Sequence, residues 1–99
     1  MGKYSISRKA IADLDGIWDY TKEHWSEEQA TKYYQQISLS IQCISDLPAF
    51  AVQGYNAIRS GLLGYHVGHH IILFKRKEDG SIWVNRILHE MMDFQRHFD

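Results

Sequence analysis

The chain reads as an α+β domain in the element order β-α-α-β-β-β. An N-terminal strand is followed by an antiparallel helical hairpin packed on one face of an antiparallel sheet, and a short C-terminal helix closes the chain. Three observations predict this. Apolar residues recur at helical spacing through the first half and alternate at period two through the second. Between the last two strand-like runs stands Asp79-Gly80, a pair that supplies the left-handed positions of a tight hairpin turn. Helices first and strands afterwards build layers, not an alternating α/β sheet. The 99 residues suffice for one domain, spanning 1–99, with no linker, internal repeat or low-complexity segment.

Each element has its own justification. Tyr4-Ser5-Ile6-Ser7 alternates apolar and polar, as a half-buried strand does. Ser7 then caps a helix whose apolar face is Ile11, Leu14, Ile17, Trp18 and Trp25, with Gly16 as a costly insertion that marks close packing. Ser26-Glu27-Glu28-Gln29 has the form of a capping box. It opens a second helix with Ala30, Tyr33 or Tyr34, Ile37, Ile41 and Ile44 inside, ending near Leu47-Pro48, where proline forces its predecessor out of the helical region. Residues 49–56 read as a loop around Gly54. Asn56–Arg59 is a candidate strand, and Gly61, Gly64 and Gly68 mark a bulge or turn. His69–Arg76 and Ile82–His89 form a hairpin, and Met91–Phe98 a short helix. The hairpin of helices covers one sheet face and leaves the other available.

Charge is unevenly spread. The formal net charge is −1, yet residues 1–46 sum to −2, residues 47–77 to +4 and residues 78–99 to −3. The central stretch holds Arg59, Lys75, Arg76 and Lys77 without one acid, and it suits either a buried sheet or a surface facing an acidic partner. The longest apolar run, Ile71–Phe74, is too short to span a membrane, and no signal-peptide pattern opens the chain, so a cytoplasmic protein is expected.

Little in the sequence points to catalysis. His66, His69 and His70 cluster, but with no carboxylate or cysteine near them in sequence they read as turn histidines, and no metal site or cofactor is expected. Cys43 lies among apolar helix positions and reads as a buried thiol. No phosphate-binding loop and no nucleophile elbow occurs. In the last strand, period two places Ile82, Val84, Arg86 and Leu88 on one face. An arginine among aliphatics needs an acceptor, for which Asp93 is the nearest candidate, and His89 at the strand end reads as a capping residue more readily than a general acid, which would need a matched base.

The string Arg86-Ile87-Leu88-His89-Glu90-Met91-Met92-Asp93, with Arg96-His97 behind it, resembles the closing motif of ParE toxins. Tyr4-Ser-Ile-Ser-Arg-Lys-Ala10 with Asp13-Leu14 and Ile17-Trp18 is similar to the opening of that family. Trp25 with Gln29-Ala30 and Tyr33-Tyr34 is similar to the start of its second helix, and Ile58-Arg59-Ser60-Gly61 with Gly68-His69-His70-Ile71-Ile72 to its first hairpin. The ordered set covers nearly the whole chain. One departure is the aliphatic pair Leu62-Leu63, where family members often carry basic or aromatic residues.

The resemblance implies a RelE-like fold and the toxin of a type II toxin–antitoxin pair, which poisons DNA gyrase without catalytic turnover of its own. It implies a ParD-type antitoxin that folds on the toxin through helices and often an added strand, DNA contact only through that antitoxin, and no cofactor or membrane partner. Toxicity or target contact is expected at Arg59, Arg86, His89, Met92, Asp93, Arg96 and His97, with Arg86 and Asp93 organising the terminal segment. Antitoxin contact is expected at Tyr20, Tyr33 and Tyr34 and, for an acidic tail, at Lys75, Arg76 and Lys77. The alternative is a RelE-like ribosome-dependent mRNA endonuclease using Arg59, Arg86 and His89. The absence of any acid between Asp46 and Glu78 deprives it of a carboxylate base on the first hairpin.

Overall fold

Two serine caps set the helical layer. In this computed structural model, which describes residues 3–98, the first strand β1 (Tyr4–Ile6) runs into helix α1 (Arg8–His24) through Ser7. The Ser7 hydroxyl accepts the Ala10 N–H at 3.0 Å and donates to the Asn85 carbonyl at 2.6 Å, so one side chain caps α1 and pins it to the sheet. Helix α2 (Glu27–Ile44) starts the same way, with Ser26 accepting the Gln29 N–H at 3.0 Å and Glu27 and Glu28 in the first turn, where the helix dipole favours negative charge.

The buried stripe of α1 is Ala10, Leu14 and Thr21 with Ile17 half-buried beside them, narrower than the expected face. Ile11 sits one residue off that line, a rotation of about 100°, and is 48% exposed, while Trp25 closes the helix at 77% exposure. On α2 the stripe is Ala30, Ile37, Ile41 and Ile44, with Tyr33 half-buried and Tyr34 turned outward. Cys43 falls between the inward Ile41 and Ile44 and is exposed, which corrects the expectation of a buried thiol. The last turn of α2 contains no basic residue, but Arg76 reaches across from the sheet and donates to the carbonyls of Ser45 and Leu47 at 3.3 and 3.0 Å. It satisfies groups that a helix end leaves unpaired.

A two-residue strand β2 (Gln53–Gly54) precedes β3 (Leu63–Val67), β4 (His70–Arg76) and β5 (Ile82–His89). The sheet order is β1-β5-β4-β3-β2, with β1 parallel to β5 and every other pair antiparallel. The hairpin between β4 and β5 forms as expected, but only Gly80, at φ 86°, is left-handed; Asp79 is not, and its carboxylate instead accepts the Ser81 N–H and hydroxyl. The expected strand at Asn56–Arg59 does not. Tyr55 N–H bonds the Leu62 carbonyl, Asn56 Oδ1 accepts the Gly61 N–H, and Gly61 takes φ 79°, so residues 55–62 close a loop that satisfies its own backbone.

Both faces of the sheet are covered, which corrects the expectation of a free face. Under the helices, Ile37, Ile41, Ile44, Ile72, Phe74, Ile82, Val84 and Ile87 form the larger core. On the opposite face Leu62, Ile71, Leu73, Leu88 and Phe94 form a second core, flanked by Tyr55, Ile58 and Phe98. The loop 55–62 and the C-terminal segment supply that cover. The segment is a 3-10 turn, Phe94–His97, and not the expected regular helix. Burying an aromatic such as Phe94 outweighs local helix preference in so short a segment.

A bulge changes the reading of β5. Leu73 faces Arg86, but Phe74 faces Val84, so Asn85 is the extra residue. Alternation slips there, and Ile87, not Arg86, joins Ile82 and Val84 beneath the helices, while Leu88 turns to the second core.

Candidate functional site

The open surface of the helical layer continues into the sheet end where β4 begins and β5 finishes. Between them runs a groove of about 780 Å³. Its helical wall carries Ala12, Gly16, Ile17 and Tyr20 from α1, Trp25 from the interhelical turn and Tyr33 from α2. Its far end is polar, made of His69, His70 and His89 with Asp13, and Met92 closes the rim. The floor is low because Ala12 and Gly16 stand four residues apart on one side of α1. A Cβ built on Gly16 meets nothing within 4 Å, so this glycine keeps space open and does not mark the close packing expected of it.

Asp13 and Arg86 form the electrostatic centre. Arg86 Nε and Nη2 reach Asp13 Oδ2 and Oδ1 at 2.7 and 2.8 Å, a bidentate pair with both side chains about 15% exposed. Asp13 Oδ2 also accepts the Ile87 N–H at 3.0 Å, because β1 stops at Ile6 and leaves that edge of β5 unpaired. The pairing holds the Arg86 guanidinium more firmly protonated than usual. Arg86 Nη1 donates to the His97 carbonyl at 3.1 Å. The expected partner, Asp93, instead makes an exposed contact with Arg96 at 3.6 Å. Arg86 thus contacts the terminal segment at His97 and not at Asp93. Asp13 was the residue missed. Its signal lay in the helical spacing Ala10, Asp13, Leu14, Ile17, which puts it on the inner flank of α1, away from Asp15 and Asp19.

The histidine end is closely coupled. The His89 ring lies 5.2 Å from that of His70, edge to face, and 6.3 Å from that of His69. Tyr33 holds the turn between β3 and β4. Its hydroxyl lies 2.7 Å from His70 Nδ1, accepts the His69 N–H at 3.1 Å and reaches the Val67 carbonyl at 3.2 Å. Gly68 passes beneath it at φ 56°, where a Cβ would stand 2.7 Å from the Tyr33 ring, so only glycine fits. Burial, together with the neighbouring His89 and His69, pushes the His70 imidazole down to about 4, and burial pushes the Tyr33 phenol up. Glu90 contradicts the expectation that no carboxylate approaches this cluster. It bridges His66 at 3.1 Å and His69 at 3.5 Å, and although burial opposes this, those imidazoles hold its carboxyl below the usual range. Among the described residues no group of three metal-ligating side chains is placed to hold an ion.

The depressed His70 has a consequence for stability. A histidine titrates near 6.5 when unfolded and near 4 here, so the unfolded chain takes up the proton first. The stability held by neutral His70 is complete above pH 6.5 and declines as the pH falls from 6.5 towards 4. Urea midpoints are expected to drop over that window in the wild type, and the slope should flatten in His70→Gln.

The remaining expected site residues fall into separate places. Tyr20, 61% exposed, lines the groove with Tyr33, whereas Tyr34 lies outside it. Lys75, Arg76 and Lys77 sit at the other end of β4, about 20 Å from His70 at strand spacing. There Arg76 serves α2 and Lys77 lies 5.8 Å over the Trp83 ring. Arg59 belongs to the second core's margin, where it donates to the Phe98 carbonyl and lies over the Phe98 ring. Met92 is on the groove rim, Asp93 and Arg96 are exposed, and His97 is half-buried. Of the three residues of the nuclease alternative, His89 lines the groove, Arg86 is engaged by Asp13, and Arg59 lies in the outer cluster.

A strand leading into a helical hairpin laid on a mostly antiparallel sheet is the topology of the RelE/ParE superfamily of toxins. Residues 4–94 match the family model described as the ParE toxin of the type II toxin–antitoxin system parDE. The chain is similar to Toxin ParE1 of Caulobacter vibrioides, 31% identical over 97 residues and covering 98% of each chain. It is also similar to Toxin ParE1 of Mycobacterium tuberculosis, 30% identical over 95 residues and 96% of each. Its fold matches, at a TM-score of 0.72 and 25% identity, a chain of the solved chromosomal ParDE TA system from P. aeruginosa, covering 90% of this chain and 96% of that one. The chain belongs to the ParE toxin family and is a member of a toxin–antitoxin system. Among the described residues no helix is long and apolar enough to cross a membrane.

Proposed function

We propose that this chain is the toxin of a ParDE pair, that it inhibits DNA gyrase in the cytoplasm, and that a ParD-type antitoxin neutralises it by laying a folded segment into the groove between the helical hairpin and the histidine end of the sheet. The observation that carries the second half of this reading is the groove itself. It is apolar and aromatic along Ile17, Tyr20, Trp25 and Met92, and a lone toxin keeps Trp25 at 77% exposure. An amphipathic helix placed there buries that surface by the helix-in-groove mode. Tyr20 and Tyr33 are then antitoxin contacts. The open edge of β3 beyond the two residues paired with β2 offers room for an added strand.

The target surface in this reading is the C-terminal segment, where Met91, Asp93 and Arg96 are exposed, with Arg59 beside it. Arg86 and His97 hold the segment in place; they do not meet the target. His89 and Met92, on the groove rim, lie where antitoxin and target surfaces adjoin, so that an antitoxin seated there blocks the approach of gyrase. Purified protein incubated with gyrase, supercoiled plasmid and ATP is expected to accumulate linear DNA, and Arg96→Ala to reduce it. A parallel assay on translating ribosomes is expected to show no mRNA cleavage. Cleavage there without linear plasmid overturns the gyrase reading.

A further inference from the structure

We infer that the histidine end of the groove binds a carboxylate carried by the antitoxin segment, and that His70 takes up a proton as it does so, which makes toxin–antitoxin affinity rise as the pH falls. The inference rests on the reading that the groove is the antitoxin site. It goes further by specifying the chemistry of the occupant: an amphipathic helix whose apolar anchors meet Ile17, Tyr20 and Trp25 and whose acidic side chain meets the imidazoles.

Three features carry it. First, three imidazoles converge with ring centres 5.2 and 6.3 Å from His89, while the other charges facing them are already engaged. Asp13 is neutralised by Arg86, and the Glu90 carboxylate lies between His66 and His69. An anion entering the groove therefore meets no uncompensated carboxylate on the α1 side, and it meets rings that repel one another once protonated.

Second, His89 is oriented for such a ligand. Its Nδ1 accepts the Met91 N–H at 3.1 Å, so the neutral ring carries its proton on Nε2, which has no hydrogen-bond partner among the described residues. That N–H is an unused donor on a ring that lines the groove.

Third, Tyr33 lets His70 change protonation state without orphaning a group. With His70 neutral, the phenol donates to Nδ1 at 2.7 Å. With Nδ1 protonated, the ring donates to the phenol oxygen, and the phenol hydrogen turns to the Val67 carbonyl at 3.2 Å. In the free protein burial and the neighbouring histidines oppose that proton, and a bound carboxylate offsets both. By linkage, affinity then rises by at most about tenfold per pH unit on acidification, levelling off where free His70 itself titrates, near 4.

The test uses the full chain and the antitoxin encoded beside it. Titration calorimetry at pH 8, 7, 6 and 5.5, in two buffers of different ionisation enthalpy, measures affinity and protons taken up. The ¹⁵N signals of the His70 ring report its protonation in the wild-type complex, without a variant. Expected are tighter binding at pH 5.5 than at pH 8, net proton uptake, and a His70 ring that titrates at higher pH in the complex than alone. His70→Gln is expected to bind with a weaker pH dependence than the wild type, His69 and His89 remaining to titrate. Binding without proton uptake, or an unchanged His70 titration in the complex, overturns the carboxylate inference while leaving the groove reading intact. Binding that a bulky residue at Gly16 does not weaken overturns the groove reading, and the inference with it.

Discussion

Arg86→Ala is expected to cost about 3–5 kcal/mol of stability, the loss found when one member of a buried, hydrogen-bonded ion pair is removed. For a domain of this size that lowers Tm by more than about 12 °C. The guanidinium has three jobs: it forms a bidentate pair with Asp13, its presence keeps Asp13 compensated where that carboxylate also holds the Ile87 N–H, and it fastens the terminal segment through the His97 carbonyl. Removing it leaves a carboxylate about 14% exposed with no cation. Asp13→Ala is expected to be comparably damaging, since it strands both the arginine and an edge amide. The double variant should lose much less than the sum of the two, because the penalty of an uncompensated charge is then gone. Chemical denaturation of the three variants checks this. A loss below about 1 kcal/mol for Arg86→Ala, the range of exposed ion pairs, contradicts the structural role given to the pair.

Gly16→Trp is expected to move stability and partner binding in opposite directions. Glycine within a helix costs up to about 1 kcal/mol relative to alanine, and a Cβ at this position meets nothing within 4 Å, so a side chain leaves the helix there towards open space. The variant should therefore be as stable as the wild type or more so. The same side chain fills the floor of the groove between Ile17 and Tyr20. Affinity for the antitoxin is expected to fall on the order of 100-fold, the scale of losing a central hot spot. This substitution separates folding from docking more cleanly than changes at Ile17 or Tyr33, groove residues that also pack on the core.

What the sequence disclosed about this fold follows the range of the interactions involved. Ser7 and Ser26 were legible as caps because a cap is settled within three residues. β5 was legible from Ile82 to His89 because a run between a tight turn and a polar stretch has few alternatives. Asn56–Arg59 misled because a four-residue alternation fits a strand and a self-bonded loop equally well, and only Tyr55 meeting Leu62 decides between them. The face assignment of Arg86 failed at the bulge, since an extra residue at Asn85 is set by the pairing of Leu73 and Phe74 on another strand. Cover on the outer sheet face came from Phe94 and Leu62, which are buried in one cluster with Ile71 and Leu88, up to 23 positions away in sequence for Phe94 and 26 for Leu62. At the site, Tyr20, Tyr33, His89 and Met92 were named from sequence and do meet in one groove. Lys75, Arg76 and Lys77 do not join them. They lie at the opposite end of β4, where Arg76 bonds the carbonyls of Ser45 and Leu47.

In the function proposed above, one surface of this chain poisons gyrase while the groove receives the antitoxin that silences it. The most direct test is a plasmid-linearisation assay with gyrase and ATP, run with wild type and Gly16→Trp, each with and without the antitoxin. Expected is linear DNA from both toxins alone, with antitoxin suppressing it for the wild type and failing to do so for Gly16→Trp. No linear DNA from the wild type, or equal suppression of both chains, would contradict it.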